Sequence, residues 1–274
     1  LPSLLGLGAD DVVVHPRVAY PTYDVGARLA GASPLPADSP GQIPGALRGR
    51  VKLVWLNSPG NPDGRVAGLA ELAGWVEWAR AHGAVLASDE CYAALAFDEP
   101  WASAGVPSLL DPRVRGASLD GLLALYSLSK QSNAAGYRAA WLAGDPELVD
   151  RLAALRKHMG LMTPGPVQAA LAAALADGDH VARQREVYRR RRRVLFDALT
   201  QAGYLVEGSA AGLYLWFATP DRQDCWRTVE DLASIGLLVA PGAFYGAAGQ
   251  AHARMALSGS DADVAEAAAR LGGA

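Results

Sequence analysis

Short runs of Val, Leu and Ala alternate with longer amphipathic stretches along the chain, the pattern of parallel strands covered by helices on both faces. It predicts an α/β fold with a mostly parallel central sheet. Strands are expected near 12–15, 51–56, 84–88, 122–126 and 139–143, each ended by Pro, Gly, Ser or Asp. Between the second and third, Leu69, Leu72, Ala73, Val76 and Ala79 recur at helical spacing and Gly83 stops the run, completing one βαβ unit. After Asp145-Pro146 helices are expected to about 158, over 167–177 and over 180–202. From Tyr204 onward, strands at 212–218, 237–240 and 253–257 alternate with helices at 224–235 and 261–271, which reads as a smaller α+β unit. A domain boundary is expected near Leu195, giving a large domain of residues 1–195 and a small C-terminal one of 196–274.

Composition narrows the function. Hydrophobic residues make up 51% and charged residues 19% of the 274, which argues for a globular protein with a sizeable core. The longest apolar stretch, Ala169 to Ala176, falls well short of the ~18 residues a spanning helix needs, so no membrane association is expected. Lys+Arg 25 against Asp+Glu 28 leaves a net charge of -3, with no basic field to attract nucleic acid. The run Arg189 to Arg193 points all round a helix rather than along one stripe, and Glu186 and Asp197 stand at pairing distance along it. A small polar metabolite is the expected partner. Cys91 and Cys225 form no disulfide framework and read as buried reduced thiols, and the five histidines show no metal-ligand spacing. The chain opens Leu1-Pro2-Ser3 without Met or a signal-peptide pattern and reads as a fragment.

Only three lysines occur: Lys52, Lys130 and Lys157. Lys130 follows an apolar strand in Ser127-Leu128-Ser129-Lys130, at the carboxyl edge where open α/β sheets place ligands. Partial desolvation there would free its amine as nucleophile and base. The two hydroxyls before it, and Arg138 after it, could cradle a phosphate. The preceding strand ends in Asp89-Glu90-Cys91-Tyr92, and a carboxylate aimed at a heteroaromatic nitrogen keeps that nitrogen protonated, as pyridoxal phosphate requires. One strand earlier, the turn Asn57-Ser58-Pro59-Gly60-Asn61-Pro62-Asp63-Gly64 offers the Asn61 amide to a phenolic oxygen. Asn61, Asp89 and Lys130 thus stand at three successive strand ends, 28 and 41 residues apart, room enough for helical crossovers.

These segments, with Tyr20-Pro21-Thr22-Tyr23, Gly136-Tyr137-Arg138, Pro241 to Gly246 and Arg254, resemble the fold-type-I pyridoxal-phosphate aminotransferases of class I/II over essentially the whole chain. The resemblance implies that Lys130 carries the cofactor covalently, Asp89 pairs with the pyridine nitrogen, and Asn61 and Tyr92 bond the ring oxygen. It further implies that Ser127, Ser129 and Arg138 hold the phosphate, Tyr20 stacks on the ring, and Arg254 takes the substrate α-carboxylate. Asp63 stands where the family usually has threonine and Gly60 where asparagine is common. The family carries a further phosphate-binding turn before the segment that matches Leu1 to Leu7, the resemblance implies a homodimer, and a cytoplasmic location is expected.

The phrases SLSKQSNAAGYR, LRKHMGLMTPGPVQAA and GLYLWF resemble the actinobacterial succinyldiaminopimelate transaminases of lysine and cell-wall precursor synthesis. The expected reaction exchanges an amino group between amino and 2-oxo acids. Rival readings are an aspartate or aromatic aminotransferase, a carbon–sulfur lyase of the same fold, and an inactive fragment. Release of pyruvate and thiol would mark the lyase.

Overall fold

The computed structural model describes residues 1–273. The large sheet contains β1 (Val12–His15), β2 (Ser33–Pro36), β3 (Val51–Asn57), β4 (Val85–Asp89), β5 (Leu122–Ser127) and β6 (Ala140–Gly144), in the order β2-β1-β3-β4-β5-β6. Every pairing in it is parallel except β5 with the edge strand β6. A second, antiparallel sheet orders β7 (Leu205–Glu207), β8 (Tyr214–Ala218), β9 (Ala240–Pro241) and β10 (His252–Ala256) as β7-β8-β10-β9. The helices are α1 (Thr22–Leu29), α2 (Leu69–His82), α3 (Trp101–Ala104), α4 (Pro112–Arg115), α5 (Leu128–Gln131), α6 (Pro146–His158), α7 (Gly165–Ala176), α8 (Gly178–Gln201), α9 (Cys225–Ser234) and α10 (Asp261–Gly272).

The period-two alternation of the strands sorts their side chains into two cores. On one face Val12, Val14, Val54, Leu86 and Leu122 pack under Leu72, Trp75, Val76 and Ala79 of α2. On the other, Val13, Leu53, Trp55, Ala87 and Leu123 meet Tyr23 and Ala27 of α1 and Leu152 of α6. Helix α2 ends where expected, at Gly83 in the left-handed conformation (φ 64°), whose N–H reaches back to Ala79 and Arg80. The second sheet buries Leu215, Phe217, Ala253 and Met255 against Leu195 and Leu199 of α8, Leu232 of α9 and Val264 of α10.

The structure departs from expectation at several points. The strand expected at 237–240 is found only at Ala240–Pro241, and Leu238 before it is 89% exposed. In the arginine run, Arg189 pairs with Glu186, but Arg191 and Arg192 reach Asp261 and Asp98 at 2.6 Å on other elements. Those two cations rivet α8 to its neighbours, and no pair to Asp197 occurs among the described residues. Cys225 is buried, whereas Cys91 is only half-buried because it borders a cavity. No helix among the described residues is long and apolar enough to cross a membrane.

Gly144 fixes the β5/β6 edge. A Cβ there would lie 1.9 Å from the Leu122 carbonyl oxygen, and its φ of +145° disfavours other residues. Gly144→Ala is expected to destabilise the fold by about 2–3 kcal/mol, read as a lower urea midpoint with unchanged slope.

Candidate active site

Parallel register brings the strand ends to one level: Asn57 of β3 is opposite Asp89 of β4, and Asp89 is opposite Leu125 of β5. The turns that leave these three strands therefore converge at one edge of the sheet. Asn57 shapes the first turn, its Nδ2 donating to the Asp89 carbonyl (3.0 Å) and the Pro59 carbonyl (3.1 Å) and its Oδ1 accepting from the Asn61 amide (2.8 Å). Asn61, 7% exposed, accepts on Oδ1 from Arg254 of β10 at 3.0 Å. A guanidinium can only donate, so Asn61 keeps its Nδ2 as a donor. Asp63 accepts from the Arg65 amide (3.2 Å), and burial pushes its carboxyl above the ordinary range.

Tyr20, Asn61, Asp89, Tyr92, Ser127, Ser129, Lys130, Arg138 and Arg254 all border one cavity of about 700 Å³. Its charged lining is one carboxylate, Asp89, against three cations, Lys130, Arg138 and Arg254. Such a cavity suits a ligand with more than one negative charge. Asp89 accepts on Oδ2 from the Tyr23 hydroxyl (2.7 Å) and on Oδ1 from the Cys91 amide (3.2 Å). Tyr92 is buried beside Tyr214, its hydroxyl 3.4 Å away; burial chiefly, then Tyr214 and Asp89, push its phenol well up, so it remains a donor at neutral pH.

Lys130 Nζ stands 5.8 Å from the centroid of the Tyr92 ring. Among the described residues it has neither a hydrogen-bond partner nor a carboxylate in ion-pair range. Ser127 caps α5, accepting from the Ser129 amide at 3.1 Å, and the two serine hydroxyls lie 2.8 Å apart. Arg138 is exposed in the left-handed conformation (φ 53°), and Nη1 donates only to the Ala135 carbonyl. A strained non-glycine residue of this kind is common at ligand sites. Arg254 stands over two rings, its Cζ 3.8 Å from the Tyr214 centroid and 5.0 Å from that of Tyr245. Its buried Nε has no partner.

This set fits pyridoxal phosphate: an unpaired amine, a carboxylate in the same cavity, two hydroxyls with a guanidinium that has no carboxylate partner, and two donors for a ring oxygen. The sequence reading assigned no role to Tyr23, Asn57, Tyr214 or Tyr245. Tyr23 and Tyr214 lie inside the motifs quoted for it, in Tyr20-Pro21-Thr22-Tyr23 and GLYLWF. A second cavity of about 270 Å³ lies behind the Asn57–Asp63 turn; there Arg65 and Glu71 satisfy each other at 2.6 Å.

Residues 1–271 match the family model described as aminotransferase class I and II. The chain is 53% identical over 271 residues to 4-dedimethylamino-4-oxo-anhydrotetracycline transaminase OxyQ of Streptomyces rimosus, covering 99% of this chain and 73% of that one. It is 50% identical over 272 residues to the probable aminotransferase Rv1178 of Mycobacterium tuberculosis, covering 99% of this chain and 62% of the relative. Among solved structures, a probable N-succinyldiaminopimelate aminotransferase from Thermus thermophilus superposes with a TM-score of 0.85 at 27% identity, over 99% of this chain and 73% of that one.

Proposed function

The chain belongs to aminotransferase class I and II, and from that premise we propose that it moves an amino group between an amino acid and a 2-oxo acid at the cavity around Lys130. The observation that carries this reading is the unpaired Lys130 amine, in one cavity with Asp89, Arg138 and Arg254. Pyridoxal phosphate, the cofactor of this family, supplies when bound an electron sink for charge developing at the substrate Cα. Lys130 would hold it covalently through Nζ, and the same nitrogen, when free, would take the proton from Cα. Asp89 accepts from the pyridine nitrogen, while Asn61 and Tyr92 donate to the ring oxygen. Ser127, Ser129 and Arg138 bind the phosphate, and Tyr20 stacks on the ring. In this reading residues 1–195 form the cofactor domain and 196–274 a smaller one.

Arg254 grips the substrate α-carboxylate, with Tyr214 and Tyr245 fixing the plane of its guanidinium. Arg254→Leu is expected to lower kcat/KM for amino donors by about 10- to 150-fold, mainly through KM, as loss of a hydrogen-bonded charge pair implies. Attachment of the cofactor to Lys130, read by borohydride reduction and mass spectrometry, is expected to survive.

For the substrate we favour N-succinyl-LL-2,6-diaminopimelate with 2-oxoglutarate as acceptor, in lysine and diaminopimelate biosynthesis. Support comes from the phrases around Lys130 and α7 and from the name of the Thermus neighbour. The 53% identity to OxyQ favours a second reading, a polycyclic ketone of the kind that name describes. Succinyldiaminopimelate with 2-oxoglutarate as acceptor and the polycyclic ketone with glutamate as donor, run beside an assay for pyruvate and thiol, decide between them. Turnover of the polycyclic ketone alone would overturn the first reading, and thiol release without amino transfer would overturn both.

Helix α7 supports a homodimer: its Ala- and Leu-rich residues include none that are buried within this chain. Its apolar surface would gain a partner in a second copy. Two free cysteines suit the reducing cytoplasm, where we place the protein.

A further inference from the structure

Tyr23 is the second residue of α1 and turns inward, 4% exposed, whereas Tyr20 three positions earlier is 46% exposed at the cavity. Its ring stacks on Trp55 of β3, centroids 5.0 Å apart at 27°, and meets the Tyr20 ring edge-on at 6.2 Å. Both flanking contacts lock the side chain in place. Its hydroxyl then reaches Asp89 Oδ2 at 2.7 Å, across 66 residues of sequence. That length is normal for an O–H···O hydrogen bond.

Burial chiefly, and then the Asp89 charge, push the Tyr23 phenol well above its ordinary range, so it stays a donor throughout the neutral region. With the Cys91 amide on Oδ1, each oxygen of Asp89 receives one donor from the protein. A carboxylate held at both oxygens has its plane fixed, and its remaining lone pairs are left for a ligand in the cavity it borders.

We propose that Tyr23 is a positioning residue for the reaction: its hydroxyl holds the Asp89 carboxylate in the orientation that the pyridine nitrogen of pyridoxal phosphate requires. Its hydroxyl is turned to Asp89 and acts through that carboxylate. The proposal rests on the transaminase reading above and deepens it.

Tyr23→Phe keeps the ring, its volume and the stack on Trp55 while removing the donor. The variant is expected to bind pyridoxal phosphate about tenfold more weakly and to lose about tenfold in kcat, the scale of one hydrogen bond to a charged group, with KM for the amino donor unchanged. With cofactor labelled with ¹⁵N at the pyridine nitrogen, its resonance is expected to move toward the neutral-pyridine position. In an Asp89→Asn background the same change should have no further effect on kcat, because the carboxylate it orients is gone. An unshifted ¹⁵N resonance, or an equal loss of kcat in both backgrounds, would overturn the proposal; the second result would reduce Tyr23 to a packing role. Failure of the unaltered chain to attach cofactor at Lys130 would instead overturn the transaminase reading, and Tyr23's role with it.

Discussion

Replacing Lys130 with alanine is expected to abolish amino transfer, lowering kcat by about 10⁴-fold or more, because one nitrogen is asked to serve as both cofactor anchor and proton carrier. The expectation follows from the surroundings of Nζ. Among the described residues no carboxylate neutralises it, and the nearest aromatic face is the Tyr92 ring at 5.8 Å. An amine without an ion-pair partner loses nothing when it becomes part of a covalent link. Treatment of the unaltered chain with pyridoxal phosphate and borohydride should therefore label Lys130 and spare Lys52 and Lys157. Normal turnover by the alanine variant, or labelling spread evenly over the three lysines, would remove the basis of the proposed function.

Asp89→Asn is the second large effect. The amide has the size of the carboxylate but carries no charge to balance a protonated ring nitrogen, so kcat should fall by about 10²- to 10³-fold, the scale of a lost preorganised electrostatic contact. Labelling of Lys130 should persist, because attachment depends on the amine rather than on the ring nitrogen. This contrast separates the two variants: one loses the bond, the other keeps the bond and loses the chemistry. If Asp89→Asn turned over at the unaltered rate, the carboxylate would be a helix-capping or packing group and its place in the site would be withdrawn.

The parallel half of the fold was legible because buried strands and amphipathic helices leave different periods in the sequence. Helix α2 coincides with its apolar spacing and its glycine stop. Strand β2 was not legible: Ser33-Pro34-Leu35-Pro36 has two prolines and no apolar run, and it pairs only as an edge strand, where missing N–H groups can face outward. Strand β7 is three residues long, too short to display a period. The antiparallel direction of β6 leaves no trace in its composition.

The same division runs through the site. Asn61, Asp89 and Lys130 were found because each follows a strand, and the strand-end rule needs only local pattern. Tyr23 was passed over because its bond to Asp89 depends on how α1 lies across the sheet, and the contact between Tyr92 and Tyr214 spans 122 residues of sequence. Arg191 and Arg192 likewise choose partners on distant elements over those one turn away along α8.

The bond between Asn61 and Arg254 joins residues 193 apart, one in the turn after β3 and one on β10 of the second sheet. At a synthesis rate of about 5–20 residues per second, roughly 10 to 40 s pass between their emergence from the ribosome. Lys130 and Arg138 are already outside by the midpoint of that interval. In the proposed reading, every residue assigned to the cofactor thus emerges before the arginine for the substrate carboxylate. Assembly and catalysis then share one order, cofactor first and substrate second.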